Sequence, residues 1–232
     1  LLPWFTANPC NVLYTWRNYV FMWESASTWS SFWNTLIVSG VGAAIGVTLG
    51  LMCSYFTLRL RPGGHRWLDF ISVLPFGVPG IVIGLGLLWA YAFMPLPLYG
   101  TLAVIIIAFV TRFLPYATET VGGQMVQIDK SLEEAGWVAG ASRLTAARRI
   151  MLPLVAPSVQ GAYFLLFMAF FREISAAILL YAADTKVVSV SIWAFFEQAN
   201  WGQASALSVA ATLIIFLVLL VIGWLVPAGR RF

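Results

Sequence analysis

The apolar positions of this chain gather into long runs. Five of them reach the about 20 residues that a helix needs to cross a bilayer core. They cover roughly residues 32–58, 67–93, 101–121, 154–181 and 204–226, and each predicts a membrane-crossing helix. The first opens on Asn34 and Thr35, and the second is interrupted by Pro75, Pro79, Gly80 and further glycines. The third carries Arg112, Pro115 and Glu119, the fourth carries Arg172 and Glu173, and the fifth holds no charge. Residues 1–31 precede the first run, and Leu1–Phe5 read as the end of an earlier helix. The stretch from Asn8 to Ser31 is rich in Trp, Tyr and Asn, which suits a membrane interface. Between the fourth and fifth runs, residues 187–196 predict an amphipathic helix along the interface. The transmembrane domain thus covers 32–226, with a polar segment at 124–153 and a short tail at 227–232. No internal repeat, low-complexity tract or second soluble domain is visible.

Composition agrees. Hydrophobic residues make up 61% of the 232 positions and charged residues 9%, against about 45–50% and about 25% in soluble domains. A soluble core of this length has no use for so much apolar surface. The net charge of +4 raises the question of nucleic acid, but the basic residues sit in short loops beside apolar runs. That is a topology signal. The loop 59–66, the segment 124–150 and the C-terminus carry nine of the thirteen Lys and Arg residues, and the opposite side carries only Arg17 and Lys186. The positive-inside rule puts the three basic regions, and with them the C-terminus, in the cytoplasm.

The single histidine, His65, lies in a basic loop, and the two cysteines, Cys10 and Cys53, show no pairing or metal-ligand spacing. Catalytic histidine chemistry and a multi-histidine metal site are therefore set aside. The chain starts at Leu1 without a signal-peptide pattern, so a fragment, a processed chain or one half of a longer polypeptide is the expectation.

The candidate chemistry lies in SLEEAGWVAGASRLTAARRIMLPL, residues 131–154. It predicts two short helices with a break. Ser131 and Glu134 have the spacing of a capping box, Gly140 supplies the joint, Ser142 caps a second helix over 143–150, and Pro153 stops or kinks it at the membrane boundary. A helix–turn–helix with apolar and charged faces in a cytoplasmic loop is a docking surface.

This segment resembles the EAA loop of the permease subunits of binding-protein-dependent ABC importers. Glu134, Ala135 and Gly136, then Gly140, then Ile150, Met151, Leu152 and Pro153 keep the spacings of Glu-Ala-Ala, three residues, Gly, nine residues, Ile-x-Leu-Pro. One departure is that Gly136 stands where the pattern has a second Ala. The resemblance implies an all-α membrane protein, a type I ABC-importer permease bundle of about five visible transmembrane helices with a cytoplasmic coupling helix. It implies a bacterial inner-membrane location and, as partners, two ATP-binding subunits, a second permease half or copy and a periplasmic substrate-binding protein. It also implies roles by position. Glu134 pairs with a basic residue of the ATP-binding subunit, and Gly140 allows the turn. Ala135, Ala139 and Ala141 give the close-packed face, and Ser142, Leu152 and Pro153 complete the matched stretch. The chain has no Gly-x4-Gly-Lys-[Ser/Thr] phosphate loop, so it is not expected to be an enzyme. It binds no cofactor of its own, and ATP and Mg belong to the partner subunit.

Further stretches resemble the ferric-iron branch of these permeases, in which two such halves are often fused. They are Asn34-Thr35-Leu36, Pro79-Gly80-Ile81-Val82, Tyr99-Gly100-Thr101, Arg112-Phe113-Leu114-Pro115 and Arg172-Glu173-Ile174-Ser175-Ala176. The same branch shades into permeases for thiamine, phosphonates, polyamines and sulfate.

Arg112, Glu119, Arg172 and Glu173 are expensive at membrane depth. Arg172 and Glu173 point about 100° apart on a helix, so each needs another partner, and helical rise puts Arg112 within reach of Glu173. These charges either lock the bundle or line the translocation path, with Ser175 beside them. The breaks at Pro75, Pro79 and Gly80 are either small-residue packing or a discontinuous helix whose freed backbone lines a cavity. A ferric cargo wants hard oxygen ligands, and arginines in the path favour an anion. Resemblance leans to ferric iron.

Overall fold

The computed structural model of the chain describes residues 16–60, 63–93 and 98–225. The expectations for Leu1–Phe5, Cys10, Arg61 and the tail at 227–232 lie outside the described residues. The described residues form helices joined by short turns, and no strand occurs among them.

After α1 (Arg17–Glu24) the chain turns at Ser25, whose hydroxyl accepts from the Thr28 N–H at 3.4 Å and caps α2 (Ala26–Tyr55). The first span therefore begins earlier than residue 32. A π turn over Phe56–Leu60 extends it past residue 58, giving one apolar segment of 35 residues from Ala26 to Leu60. Three further helices are long and apolar enough to cross a membrane. They are α5 (Leu102–Gln127), the continuous segment Arg143–Arg172 and α11 (Trp201–Leu225).

The second apolar run is not a straight helix. It divides into α3 (His65–Val73), a 3₁₀ turn at Leu74–Gly77 and α4 (Gly80–Phe93), and the two arms are bent by 108°. Pro75 begins the turn and Pro79 precedes α4, each where a proline's missing N–H and fixed φ cost least. The run is thus broken at the prolines.

Glycine lets the core close. Gly42, Gly46 and Gly50 recur every four residues on one face of α2. A Cβ at these positions would stand 2.8 Å from the Phe170 ring, 2.7 Å from Leu166 Cδ2 and 2.6 Å from Ala117 Cβ. Small residues let backbones approach where lipid offers no hydrophobic drive. Around this face Val38, Val104, Ile105, Phe109, Leu166 and Phe170 are fully buried. Positions 42, 46, 50 and 54 of α2 meet 106, 110, 117 and 118 of α5 in that order, so α2 and α5 run parallel. The bent pair α3–α4 must therefore carry the chain back from one end of the bundle to the other.

The fourth run ends sooner than residue 181. α8 (Leu152–Arg172) stops where Glu173 turns extended, and a turn leads into α9 (Ala177–Leu180). The cause is local. A Glu173 carboxylate oxygen accepts the Ser175 N–H at 2.8 Å, so a side chain takes a backbone donor that a helix would have used.

The helix expected at 187–196 forms as α10 (Val188–Glu197), with Val188, Val190 and Ser191 buried in the bundle. Asn34 and Thr35 hold its entry. Asn34 Nδ2 donates to the carbonyls of Asp184 and Lys186 at 2.8 and 3.0 Å, and Thr35 Oγ1 accepts the Val188 N–H at 2.8 Å.

Candidate functional site

The segment 124–153 folds as a helix–turn–helix. Its first helix, α6 (Ser131–Val138), is capped by Asp129, whose Oδ1 accepts the Ser131 N–H at 2.8 Å. The capping box expected of Ser131 and Glu134 is thus replaced by an aspartate two residues upstream. That hydrogen bond, then the Ser131 hydroxyl, holds the Asp129 carboxyl below its ordinary value.

α6 ends in a Schellman motif. The Ala141 N–H reaches Gly136 O and the Gly140 N–H reaches Trp137 O, both at 2.9 Å, with Gly140 at φ 87°. A left-handed residue closes such a motif, and glycine takes that conformation without steric cost. Ser142 then caps α7 (Arg143–Ala146) as expected, accepting the Thr145 N–H at 3.2 Å. Pro153 does not stop the chain. A π turn over Ala147–Met151 precedes it, with the Leu152 N–H bonded to Ala147 O, and α8 continues directly. The π turn shifts the hydrogen-bond register just before Pro153, and the helical run passes the missing N–H without ending.

The departure at Gly136 has a packing cause. A Cβ there would stand 2.8 Å from Ile150 Cδ1, so the missing methyl makes room for the isoleucine of the second helix. Glu134, Ala135, Ala139, Ser142, Leu152 and Pro153 are exposed, and Ala141 is half-buried. Trp137, Val138 and Leu144 add exposed apolar surface, Val138 at 91%. Arg143 stacks over Trp137, 5.9 Å from its ring centre.

The underside of α6 shows what the sequence pattern did not single out. Glu133, beside Glu134, is buried. Its Oε1 accepts from the Tyr55 hydroxyl at 3.2 Å, and its Oε2 faces Arg59 Nε at 3.5 Å. Arg59 Nη2 also donates to Met125 O at 2.6 Å and to Ile128 O at 2.7 Å. Both basic segments, around 59 and 124–150, therefore lie at one end of the bundle. A cavity of about 240 Å³ lies beside this contact, against Lys130, Trp137 and Arg143.

Deeper in the bundle, Arg112 and Glu173 meet as their depth suggested. Arg112 Nη1 lies 2.5 Å from Glu173 Oε1, and the guanidinium sits 5.3 Å from the Phe113 ring centre. It also lies against the start of α4, where any Cβ at Gly80 would overlap it. Gly84 likewise lies against the turn after α8, where a Cβ would stand 3.0 Å from Ala176 Cα. Ser189 Oγ donates to Glu173 O at 2.8 Å. One ion pair thus ties together α5, the break in the second run and the break after the fourth.

Arg172 points elsewhere. It is exposed and makes no ion pair or hydrogen bond among the described residues. Glu119 is also apart from the pair, exposed on α5 beside a second cavity of about 240 Å³ shared with Asp69 and Ser72.

The fold and this clamped helix–turn–helix define a helical bundle with several apolar helices long enough to cross a membrane. The chain belongs to the family of binding-protein-dependent transport system inner membrane components, whose pattern matches residues 46–231. Over 206 residues it is 31% identical to the ferric transport system permease protein FbpB of Actinobacillus pleuropneumoniae, covering 89% of this chain and 30% of that protein. It is 32% identical to the Fe(3+)-transport system permease protein FbpB 2 of Haemophilus influenzae, covering 76% of this chain and 35% of that protein. The chain thus spans about a third of the length of these ferric relatives. A putative 2-aminoethylphosphonate transport system permease protein, PhnV, of Salmonella typhimurium is 25% identical, with 81% and 72% covered.

Among solved structures, the bundle superposes on a bacterial ABC transporter involved in alginate import. The TM-score is 0.77 at 16% identity, over 95% of this chain and 86% of that one. The MetNI methionine ABC transporter gives a TM-score of 0.69 at 17% identity, over 87% and 95%.

Proposed function

We propose that residues 131–153 are the surface through which a separate ATP-binding subunit drives this permease, and that the cargo is ferric iron. The observation that carries the docking role is the arrangement of the loop. Glu134 and the apolar side chains Trp137, Val138 and Leu144 are exposed beside a rigid Gly140 turn, while the underside is fastened to the bundle. A surface patch of this kind marks an interaction site. The basic end of the bundle faces the cytoplasm by the positive-inside rule. Two ATP-binding subunits, a second permease half and a periplasmic binding protein complete the importer. Closure of the ATP-binding subunits moves the loops, and the spans alternate between outward- and inward-open forms. The chain hydrolyses no ATP itself. Its similarity to ferric permeases supports the cargo, and the phosphonate relative supports the second choice, 2-aminoethylphosphonate.

The test is reconstitution of the complete importer in proteoliposomes. Glu134→Ala and Gly140→Pro should leave the protein in the membrane and abolish ATP-driven uptake. Normal uptake in both variants would remove the coupling role.

A further inference from the structure

Glu133 and Arg59 form a joint that the docking surface alone does not require. Their side chains are 4% and 5% exposed, and they come from α6 and from the π turn at the end of α2. A π turn adds a residue to a helical turn, and such insertions are frequent at functional sites. Here it accompanies an inward-facing Arg59 at the end of a span. The guanidinium then makes three contacts with three consecutive parts of the chain. Nη2 takes the Met125 carbonyl, one of the last four of α5, whose acceptors have no partner within the helix. The same nitrogen takes Ile128 O in the link to α6. Nε faces only Glu133, at 3.5 Å, and has no hydrogen bond of its own. Tyr55 of α2 holds the other carboxylate oxygen.

We infer that Glu133 and Arg59 are positioning residues that pass displacement of α6 to α2 and α5 together, an inference that rests on the docking role proposed for residues 131–153. If α6 shifted without its partners, Glu133 would leave a buried Arg59 Nε unpaired, and breaking one side of a buried ion pair is strongly unfavourable. The low-cost movement carries Arg59 along. Arg59 in turn holds the end of α5 through two carbonyls, and α2 and α5 are the two parallel helices packed most closely through Gly50. A push on α6 therefore moves both spans as one body. Glu134, one residue on, is exposed. The two neighbouring carboxylates divide the work, one meeting the partner subunit and the other meeting the bundle.

The experiment uses the full polypeptide with its ATP-binding and binding-protein subunits in proteoliposomes. Ferric iron and 2-aminoethylphosphonate are offered in parallel as probes. Substrate moved per ATP hydrolysed is measured for whichever probe the wild type carries. Glu133→Gln keeps the volume and an acceptor for Tyr55 but removes the charge. It should retain the ATP-binding subunit in co-purification and lower the transport ratio about tenfold, the range of ordinary coupling free energies. Arg59→Lys keeps the charge without the forked geometry and should give an intermediate ratio. Exchanging the charges, Arg59→Glu with Glu133→Arg, should not restore the ratio, because a carboxylate at 59 cannot donate to Met125 O and Ile128 O. A wild-type ratio in Glu133→Gln, or restoration by the exchange, would overturn the relay. The docking role fails separately. Leu144→Asp on the exposed face should abolish co-purification of the ATP-binding subunit, and unchanged co-purification would count against that role while leaving the Glu133 result to be judged by its ratio.

Discussion

Arg112 sits where three structural parts meet, and its neighbours argue for a locking role. Its guanidinium lies against Gly80, at the break of the second run, and pairs with Glu173 at the break of the fourth. Glu173 Oε1 serves Arg112 and the Ser175 N–H at once, so one oxygen fixes both a helix contact and a turn. Glu173→Ala should therefore destabilise the protein by on the order of 3 kcal/mol, the scale for removing one partner of a largely buried pair. Glu173→Gln, which still accepts from Ser175, should cost clearly less. Thermal unfolding in detergent measures both, and equal losses would mean that the turn contributes nothing beyond charge. This pair was legible in the sequence, because helical rise alone gives depth. Arg59 and Glu133 were not. Arg59 read as one of several loop arginines because the π turn that carries it inward leaves no signature in hydropathy. Glu133 was overshadowed by Glu134, whose place in the motif drew the functional assignment.

Among the elements, the helix–turn–helix was readable down to its joint. Gly140 marks a left-handed position, Ser142 caps as its residue type suggests, and the run between them is too short for anything but a turn. The N-terminal cap was missed because Ser131 and Glu134 match a common pattern, while Asp129 sits two residues before the first helical residue and makes an equivalent bond. The α8 boundary was missed for a different reason. Residues 173–181 are as apolar as a span, and the carboxylate-to-backbone bond at Ser175 ends the helix there. The Asp129 cap has a pH signature. Its carboxyl is held below the ordinary value near 3.8 by the Ser131 N–H and then by the Ser131 hydroxyl. A carboxyl depressed in the folded state stabilises above its unfolded pKa, and that contribution is lost as pH falls through the folded value. A spin label at Val138 should therefore report an α6 that stays ordered from neutral pH down to the ordinary carboxylate range and loosens below it. Asp129→Asn should flatten that acid-side change. An identical acid profile in the variant would place the cap elsewhere.

At the scale of the whole molecule, the parallel course of α2 and α5 explains why the bent pair exists. A chain that must return between two parallel spans needs a crossing segment. This one crosses with a 108° break that lies against the Arg112–Glu173 pair. The long apolar helices and the basic end could be read from hydropathy and charge, but the bend could not, since Pro and Gly mark a weak point without setting its angle. The same scale bears on the cargo. Among the described residues no cluster of three or more His, Cys, Asp or Glu side chains is placed to hold a metal ion, whereas ferric iron takes several hard oxygen ligands when it binds tightly. If iron crosses through this permease, affinity belongs to the binding protein and the path holds the ion weakly. The full polypeptide, purified without its partner subunits, equilibrated with ferric citrate and gel-filtered, should retain far less than one iron per chain by elemental analysis. The complete importer in proteoliposomes should accumulate iron when the loaded binding protein and ATP are supplied. One iron co-eluting per chain would contradict the weak path, and uptake of 2-aminoethylphosphonate without iron would transfer the cargo to the phosphonate class.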